Sequence, residues 1–215
     1  MKNMKPLDRK GVTLIELLVA LVICGMVAAG IYQVFIAQGK AYTVQDQVTE
    51  VQQSVRSAME ILLRDLRMAG YDCDNLLSTI TITSPIANVS DNAITVNYEY
   101  YDKVLAQYQK HTIAYRRDGG SSSLIRQLTV NDVAIPQETL LENVENLNFT
   151  YGVDANGDGA LDNWVPAGSI RISKVVAVRV ALTARPVQIN PDQRKMISPR
   201  TLVSNVTLRN LCMIK

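Results

Sequence analysis

Histidine is all but missing from this 215-residue chain, with His111 standing alone. That scarcity argues against imidazole catalysis and against a His-rich metal site. Three cysteines exclude a disulfide-dense scaffold and a zinc site built from four thiolates. Charge of one sign is also lacking. The formal net charge is +2, too little for a nucleic-acid binder. Most of the basic character sits in residues 1–11, where Lys2, Lys5, Arg9 and Lys10 face only Asp8. With 47% apolar and 20% charged residues the chain can bury a core, which excludes a disordered or collagen-like protein.

What is present is one long apolar run. From Leu17 to Gly39 no residue is charged, and Lys40 ends the run. A helix of that length rises roughly 35 Å, enough to cross a hydrocarbon layer of about 30 Å. The preceding basic residues hold residues 1–11 in the cytoplasm and send the C-terminus across. A cleavable secretory signal is the competing reading, but its apolar core is shorter. Glu16 is the unusual feature, since a carboxylate in a lone membrane helix costs roughly 2.5–3.5 kcal/mol on insertion scales. Either it snorkels to the interface or it meets a cation supplied by another molecule.

The string Lys10-Gly11-Val12-Thr13-Leu14-Ile15-Glu16-Leu17-Leu18 resembles the processing site of the type IV pilin family, pseudopilins included. The resemblance implies that a prepilin peptidase cuts after Gly11 and N-methylates Val12, where the family more often has Phe. It further implies that Glu16 pairs with the N-terminal amine of a neighbouring subunit inside a filament. A matched charge pair is tolerable in an apolar setting where a lone carboxylate is not. Such a pair sets the axial offset between helices, as a polar residue does in a coiled-coil core.

The helical pattern continues past the apolar run. Val44, Val48, Val51, Val55, Ala58, Leu62, Leu66 and Ala69 recur at steps of four and three, one apolar stripe. No proline interrupts residues 12–69, and Gly70 supplies the stop. One helix over Val12–Ala69 is expected, with Gly25, Gly30 and Gly39 as points where it bends or loosens. Many major pilins carry Pro at the position of Gln33, so its absence predicts less melting there. The stripe packs on the chain's own sheet or, alternatively, forms a dimeric coiled coil. Upstream, Ala20, Gly25, Ala28, Ala29 and Gly30 permit close helix contact.

Arg64-Asp65-Leu66-Arg67-Met68-Ala69-Gly70-Tyr71 and the closing Val206-Thr207-Leu208-Arg209-Asn210 resemble segments of minor pilins of the PilW type. The plainer reading of Arg64, Asp65 and Arg67 is solvated charge on a helix.

Residues 71–215 read as a β-rich head. Thr79–Thr83, Ala93–Tyr98, His111–Arg116, Leu124–Val130, Val144–Tyr151, Val175–Thr183 and Thr201–Leu208 are strand candidates. Asp118-Gly119-Gly120 marks a hairpin turn, and Pro186, Pro191 and Pro199 mark a loop before the last strand. Together these predict an α+β pilin fold: a leader over 1–11, a transmembrane half-helix over 12–39, an amphipathic half over 40–70, and a periplasmic antiparallel head over 71–215.

Three features of the head carry chemistry. Asp154, Asn156, Asp158, Ala160 and Asp162, with Gly159, match the first nine positions of an EF-hand-type calcium loop, although Val165 stands where the bidentate Glu belongs. Calcium is the implied ion, and an Asn-Gly and Asp-Gly turn is the alternative. Cys73 and Cys212 lie in the exported part, where an oxidising compartment permits a disulfide. Cys24 reads as a small packing residue. Tyr98, Tyr100, Tyr101, Tyr108 and Tyr115 suit sheet packing better than an adhesive surface.

The resemblance implies a minor pilin without chemistry of its own. It would prime type IV pilus assembly, enter the filament and stand near its tip. Its partners would be other minor and major pilins, the prepilin peptidase and the inner-membrane assembly platform, with no nucleic acid. It would sit in the inner membrane with its C-terminus in the periplasm, and later at the cell surface. The alternatives are a minor pseudopilin of a type II secretion system and a calcium-dependent pilus adhesin.

Overall fold

The computed structural model describes residues 11–72, 78, 80–186 and 197–210. Cys73, Cys212, Pro191 and the leader residues 1–10 lie outside them. The chain divides into two compact units, Met1–Asp46 and Gln47–Lys215.

One helix, α1 (Leu14–Arg67), contributes to both units. It is unbroken at Gly25, Gly30, Gln33 and Gly39, so the glycines do not interrupt its hydrogen bonding. Within the first unit its apolar side chains face outward, and this is the stretch long and apolar enough to cross a membrane. Within the second unit the expected stripe is buried: Val51, Val55, Ala58, Leu62, Leu66 and Ala69 all lie in the core, and Val48 is half-buried. Met59, Leu63 and Asp65 are buried as well, so the covered face is wider than one row. After Arg67 the chain turns through Gly70 at φ +74°, a left-handed conformation that glycine adopts without penalty. The Gly70 N–H donates to the Asn97 carbonyl at 2.9 Å, and the helix end is thereby tied to a strand.

The remainder of the second unit holds two antiparallel sheets, where the sequence suggested one. The first comprises β1 (Ile86–Ala87), β2 (Ala93–Asp102), β3 (Gln107–Asp118), β4 (Ser123–Val130), β5 (Val133–Ala134) and β6 (Glu138–Leu141). Its order is β1-β2-β3-β4-β5, and β6 also pairs with β4. The second comprises β7 (Val144–Val153), β8 (Asn163–Pro166), β9 (Val175–Ala184) and β10 (Arg200–Thr207), in the order β10-β9-β7-β8. The expected strand over Thr79–Thr83 is absent from residues 80–83, which run without ladder pairing even though Ile82 is buried. A β-rich composition there serves to anchor a loop, and β1 forms further on. The other six strand expectations hold, most of them with longer strands than the sequence pattern marked. The hairpin at Asp118 holds too. Ser121 donates its N–H and hydroxyl to the Asp118 carboxylate at 2.9 and 2.6 Å, and these bonds lower the Asp118 pKa.

The inner faces of both sheets and the helix share one core, in which Tyr115, Phe149, Tyr151, Leu62, Leu66 and Leu182 are fully buried. Burying each such side chain contributes about 1.5–3 kcal/mol. Side-chain contacts join the sheets: Tyr151 Oη donates to the Ser90 carbonyl at 3.0 Å, and Arg117 Nε on β3 donates to that of Val144 on β7 at 2.9 Å.

Candidate functional site

Gly11, Val12 and Thr13 precede the first helical turn, and Val12 is 75% exposed. Glu16 Oε2 accepts hydrogen bonds from the Thr13 N–H and the Thr13 hydroxyl, each at 2.9 Å. In return Thr13 Oγ1 accepts the Glu16 N–H at 3.3 Å. This reciprocal arrangement is a capping box, which satisfies two donors that a helix start leaves unpaired. Its Thr-x-x-Glu signature is present in residues 13–16, although the apolar setting of Glu16 pointed to snorkelling or to a partner and not to a cap. Among the described residues the other carboxylate oxygen, Oε1, has no hydrogen bond. Glu16 can therefore keep its cap and still accept from a cation brought by a second molecule.

At the far end of α1, the Arg64–Tyr71 motif separates into unlike parts. Arg64 and Arg67 are exposed, although Arg64 Nε lies 3.4 Å from Asp65 Oδ1, whereas Asp65 is only 3% exposed. Its carboxylate accepts the Tyr115 hydroxyl at 2.6 Å and Arg126 Nε at 2.9 Å. Tyr115 and Arg126 are register partners on β3 and β4, so one acid on the helix holds two adjacent strands. Burial and the Asp65 charge push the Tyr115 phenol well above its ordinary range. Burial opposes the Arg126 charge, but the Asp65 carboxylate outweighs it and the guanidinium pKa is raised. His111, beside the rings of Tyr98 and Tyr100, has its pKa lowered by burial and by the Arg126 charge. Nothing in the sequence marked Tyr115 or Arg126 as partners of Asp65, because they lie 50 and 61 residues away.

The two short PilW-like segments also meet. The Asn210 side chain donates to the Arg67 carbonyl at 3.2 Å and so caps the helix end. A groove of about 550 Å³ lies beside this contact.

The Asp154–Asp162 loop connects β7 and β8. Asp154 accepts the N–H groups of Gly157 and Gly159 at 2.5 and 2.7 Å, and these bonds hold its carboxyl below the usual range. Asp162 Oδ2 accepts the Ala155 N–H at 2.7 Å. Asp158 Oδ1 accepts the Ala160 N–H at 2.7 Å, and Asn156 donates to Asp158 Oδ2 at 3.0 Å. The oxygens thus serve backbone turns, with Gly157 and Gly159 at φ +87° and +85°. Among the described residues no three His, Cys, Asp or Glu side chains converge as a metal group. Val165, the twelfth position, lies within β8 opposite Tyr151. The tyrosines divide between roles: Tyr98 and Tyr115 are buried, while Tyr100 and Tyr101 are 46% and 38% exposed. Cys24 is a free, exposed thiol on the apolar helix.

A long apolar N-terminal helix leading into an antiparallel β head defines a pilin-like protein. The prokaryotic N-terminal methylation motif matches residues 7–32, and the family described as type IV pilus-assembly protein W (PilW) matches residues 110–210. No curated relative matches the chain. The fold and the two family matches are consistent with a type IV minor pilin of the PilW type. That family is structural rather than catalytic, and it implies contact with other pilins and with the assembly machinery.

Proposed function

We propose that this minor pilin is cut after Gly11, helps to prime pilus assembly and is itself built into the filament near its tip. The observation that carries the reading is Glu16: one carboxylate oxygen is held by Thr13 and the other is unengaged, on a helix whose flanks are apolar. Hydrolysis of the Gly11–Val12 bond leaves an ammonium on Val12, and N-methylation keeps its positive charge. Such an ammonium on a neighbouring subunit is the counter-ion that Glu16 lacks. The basic residues 1–11 favour a cytoplasmic N-terminus with the head in the periplasm. Mass spectrometry of the mature chain, joined to a filament-incorporation assay, tests this. The chain is expected to begin at N-methyl-Val12. Glu16→Ala is expected to insert in the membrane normally and to be lost from sheared pili. A start elsewhere, or normal incorporation of Glu16→Ala, contradicts the reading.

The β7–β8 loop is proposed to take calcium through Asp154, Asn156, Asp158, Asp162 and the Ala160 carbonyl. The support is the one-three-five-nine spacing of short oxygen-bearing side chains. Binding would require these side chains to exchange their backbone N–H partners for the ion. Calcium should raise the melting temperature of the purified chain, and Asp158→Ala should abolish that rise. No shift with calcium would refute it.

A further inference from the structure

We propose that the outer face of the β10-β9-β7-β8 sheet is a protein-docking surface that receives a carboxylate of another pilin-type subunit on Arg179. The proposal rests on the assembly reading above and names the partner contact made by the head.

The inner positions of β9 and β7 are fully committed to the core, among them Val178, Val180, Leu182 and Phe149. The alternate positions point outward and form rows across the sheet. One row is Val203, Ala181 and Asn148, and the next is Asn205, Arg179 and Thr150. Past the bulge at Glu145, whose carboxylate is paired with Arg185 at the end of the sheet, the outward positions of β10, β9 and β7 carry Thr, Asn, Ala, Val and Gly, with Arg179 as the one ionised side chain. In a chain with 20% charged residues, such depletion over three adjacent strands is the compositional sign of an interface centre.

Arg179 is held in place rather than left to wave. Its guanidinium carbon lies 4.1 Å from the centroid of the Trp164 ring, and its Nε donates to Asn205 Oδ1 at 2.9 Å. The ring reaches across because Gly152, opposite Trp164 on β7, has no side chain to obstruct it. Stacking and the Nε bond fix the planar fork and leave its terminal nitrogens without an ion-pair partner among the described residues. A fork immobilised in advance loses little entropy on meeting a carboxylate, and Arg and Trp are, with Tyr, the residue types enriched among interface hot spots.

One cation on a flat, neutral sheet fits a protein carboxylate. Nucleic acid or an anionic membrane surface needs several basic groups together. The β10 edge adds to the case. Thr201–Thr207 contains no charge and no proline, the usual devices that blunt an edge strand, and β10 is the outermost strand of its sheet. The face covers roughly 450 Å² by strand spacing and rise, about half of what one partner contributes to a standard interface. It therefore acts as one contact within an assembly that tethers subunits by other means, where effective concentration makes a small interface sufficient.

The test places a photoreactive residue at Val203, 54% exposed, in the full-length chain in membranes with its co-expressed pilin-type subunits. The expected result is a covalent adduct with another pilin-type subunit, reduced at least tenfold by Arg179→Glu and restored by an acid-to-Arg change in the partner at the crosslinked spot. If Arg179→Glu shifts Trp164 emission and so disturbs the fold, Thr207 carries the probe and Val203→Glu replaces it as the disrupting change. No adduct from a chain that is recovered in filaments overturns the docking face while leaving the assembly reading intact. An adduct to lipid, to a protein that is not a pilin, or one insensitive to both variants also overturns it. A specific, charge-sensitive adduct in membranes from a chain that never enters filaments supports the docking face and removes the filament reading.

Discussion

Asp65 occupies a position where the sequence pattern offers no warning. It stands between two exposed arginines on a charged helical turn, yet it is buried against Tyr115 and Arg126. Removing Asp65 strands the Tyr115 hydroxyl and leaves Arg126 only the exposed Glu138 carboxylate at 3.5 Å, and breaking a buried pair costs about 3–5 kcal/mol. Asp65→Ala should lose stability of that order in urea unfolding of the purified chain. Tyr115→Phe, which retains the Asp65–Arg126 contact, should lose only about 1–2 kcal/mol. His111 supplies a second test at this scale. Its folded-state pKa is lowered, first by burial and then by the Arg126 charge. Below the ordinary imidazole value of about 6.5 the unfolded chain therefore binds a proton that the native chain resists. That contribution is fully present above this pH and is lost as pH falls below it. Melting temperature should drop on acidification through that range, and His111→Gln should flatten this part of the profile. As the chain has no other histidine, the comparison is clean.

Among the elements, β7 and β8 are coupled through an absence. A methyl group at Gly152 would lie 2.5 Å from Leu161 Cδ1, 3.0 Å from Ala177 Cβ and 3.3 Å from Trp164 Cζ3. Gly152→Ala must therefore displace Leu161 and the Trp164 ring, or strain the β7–β9 pairing. Overpacking of this kind costs about 1–3 kcal/mol. The chain has one tryptophan, so its fluorescence reports the change directly. A red-shifted emission together with a lower unfolding midpoint is expected, and unchanged spectra would show that the ring does not depend on the glycine. The helix, by contrast, has its start and stop written locally. Thr13 and Glu16 close the first turn, and Gly70 ends the last by taking a φ of +74° that a residue with a Cβ adopts only at a cost.

For the molecule as a whole, the division at Asp46 and Gln47 separates two kinds of stability. Among the described residues, every member of the hydrophobic core lies at Val51 or beyond. The first unit has no buried residues of its own among those described, and its apolar side chains need lipid or other helices as solvent. A chain beginning at Gln47 should therefore be soluble without detergent and should unfold cooperatively, as read by circular dichroism on heating. Loss of cooperative melting in that fragment would mean that the upstream helix is required for the head to fold.

Most of the chain's architecture is legible in the order of its residues. The apolar run, the acid at Glu16 and the four-three stripe from Val44 to Ala69 are periodic signals, and periodicity survives in one dimension because a helix face repeats along the chain. The same holds for the β-branched runs that form β2, β3, β4, β7, β9 and β10. The strand expected at Thr79–Thr83 fails because composition records that a segment is apolar, not whether a neighbour offers it a ladder. The sequence by itself determined the long apolar helix, its stop and the β character of the head. Only the tertiary structure decided that the strands form two sheets, that Asp65 meets Tyr115 and Arg126, and that Arg179 rests on Trp164. Those contacts join residues far apart in the chain, and their geometry depends on how the strands pack, which no local pattern encodes.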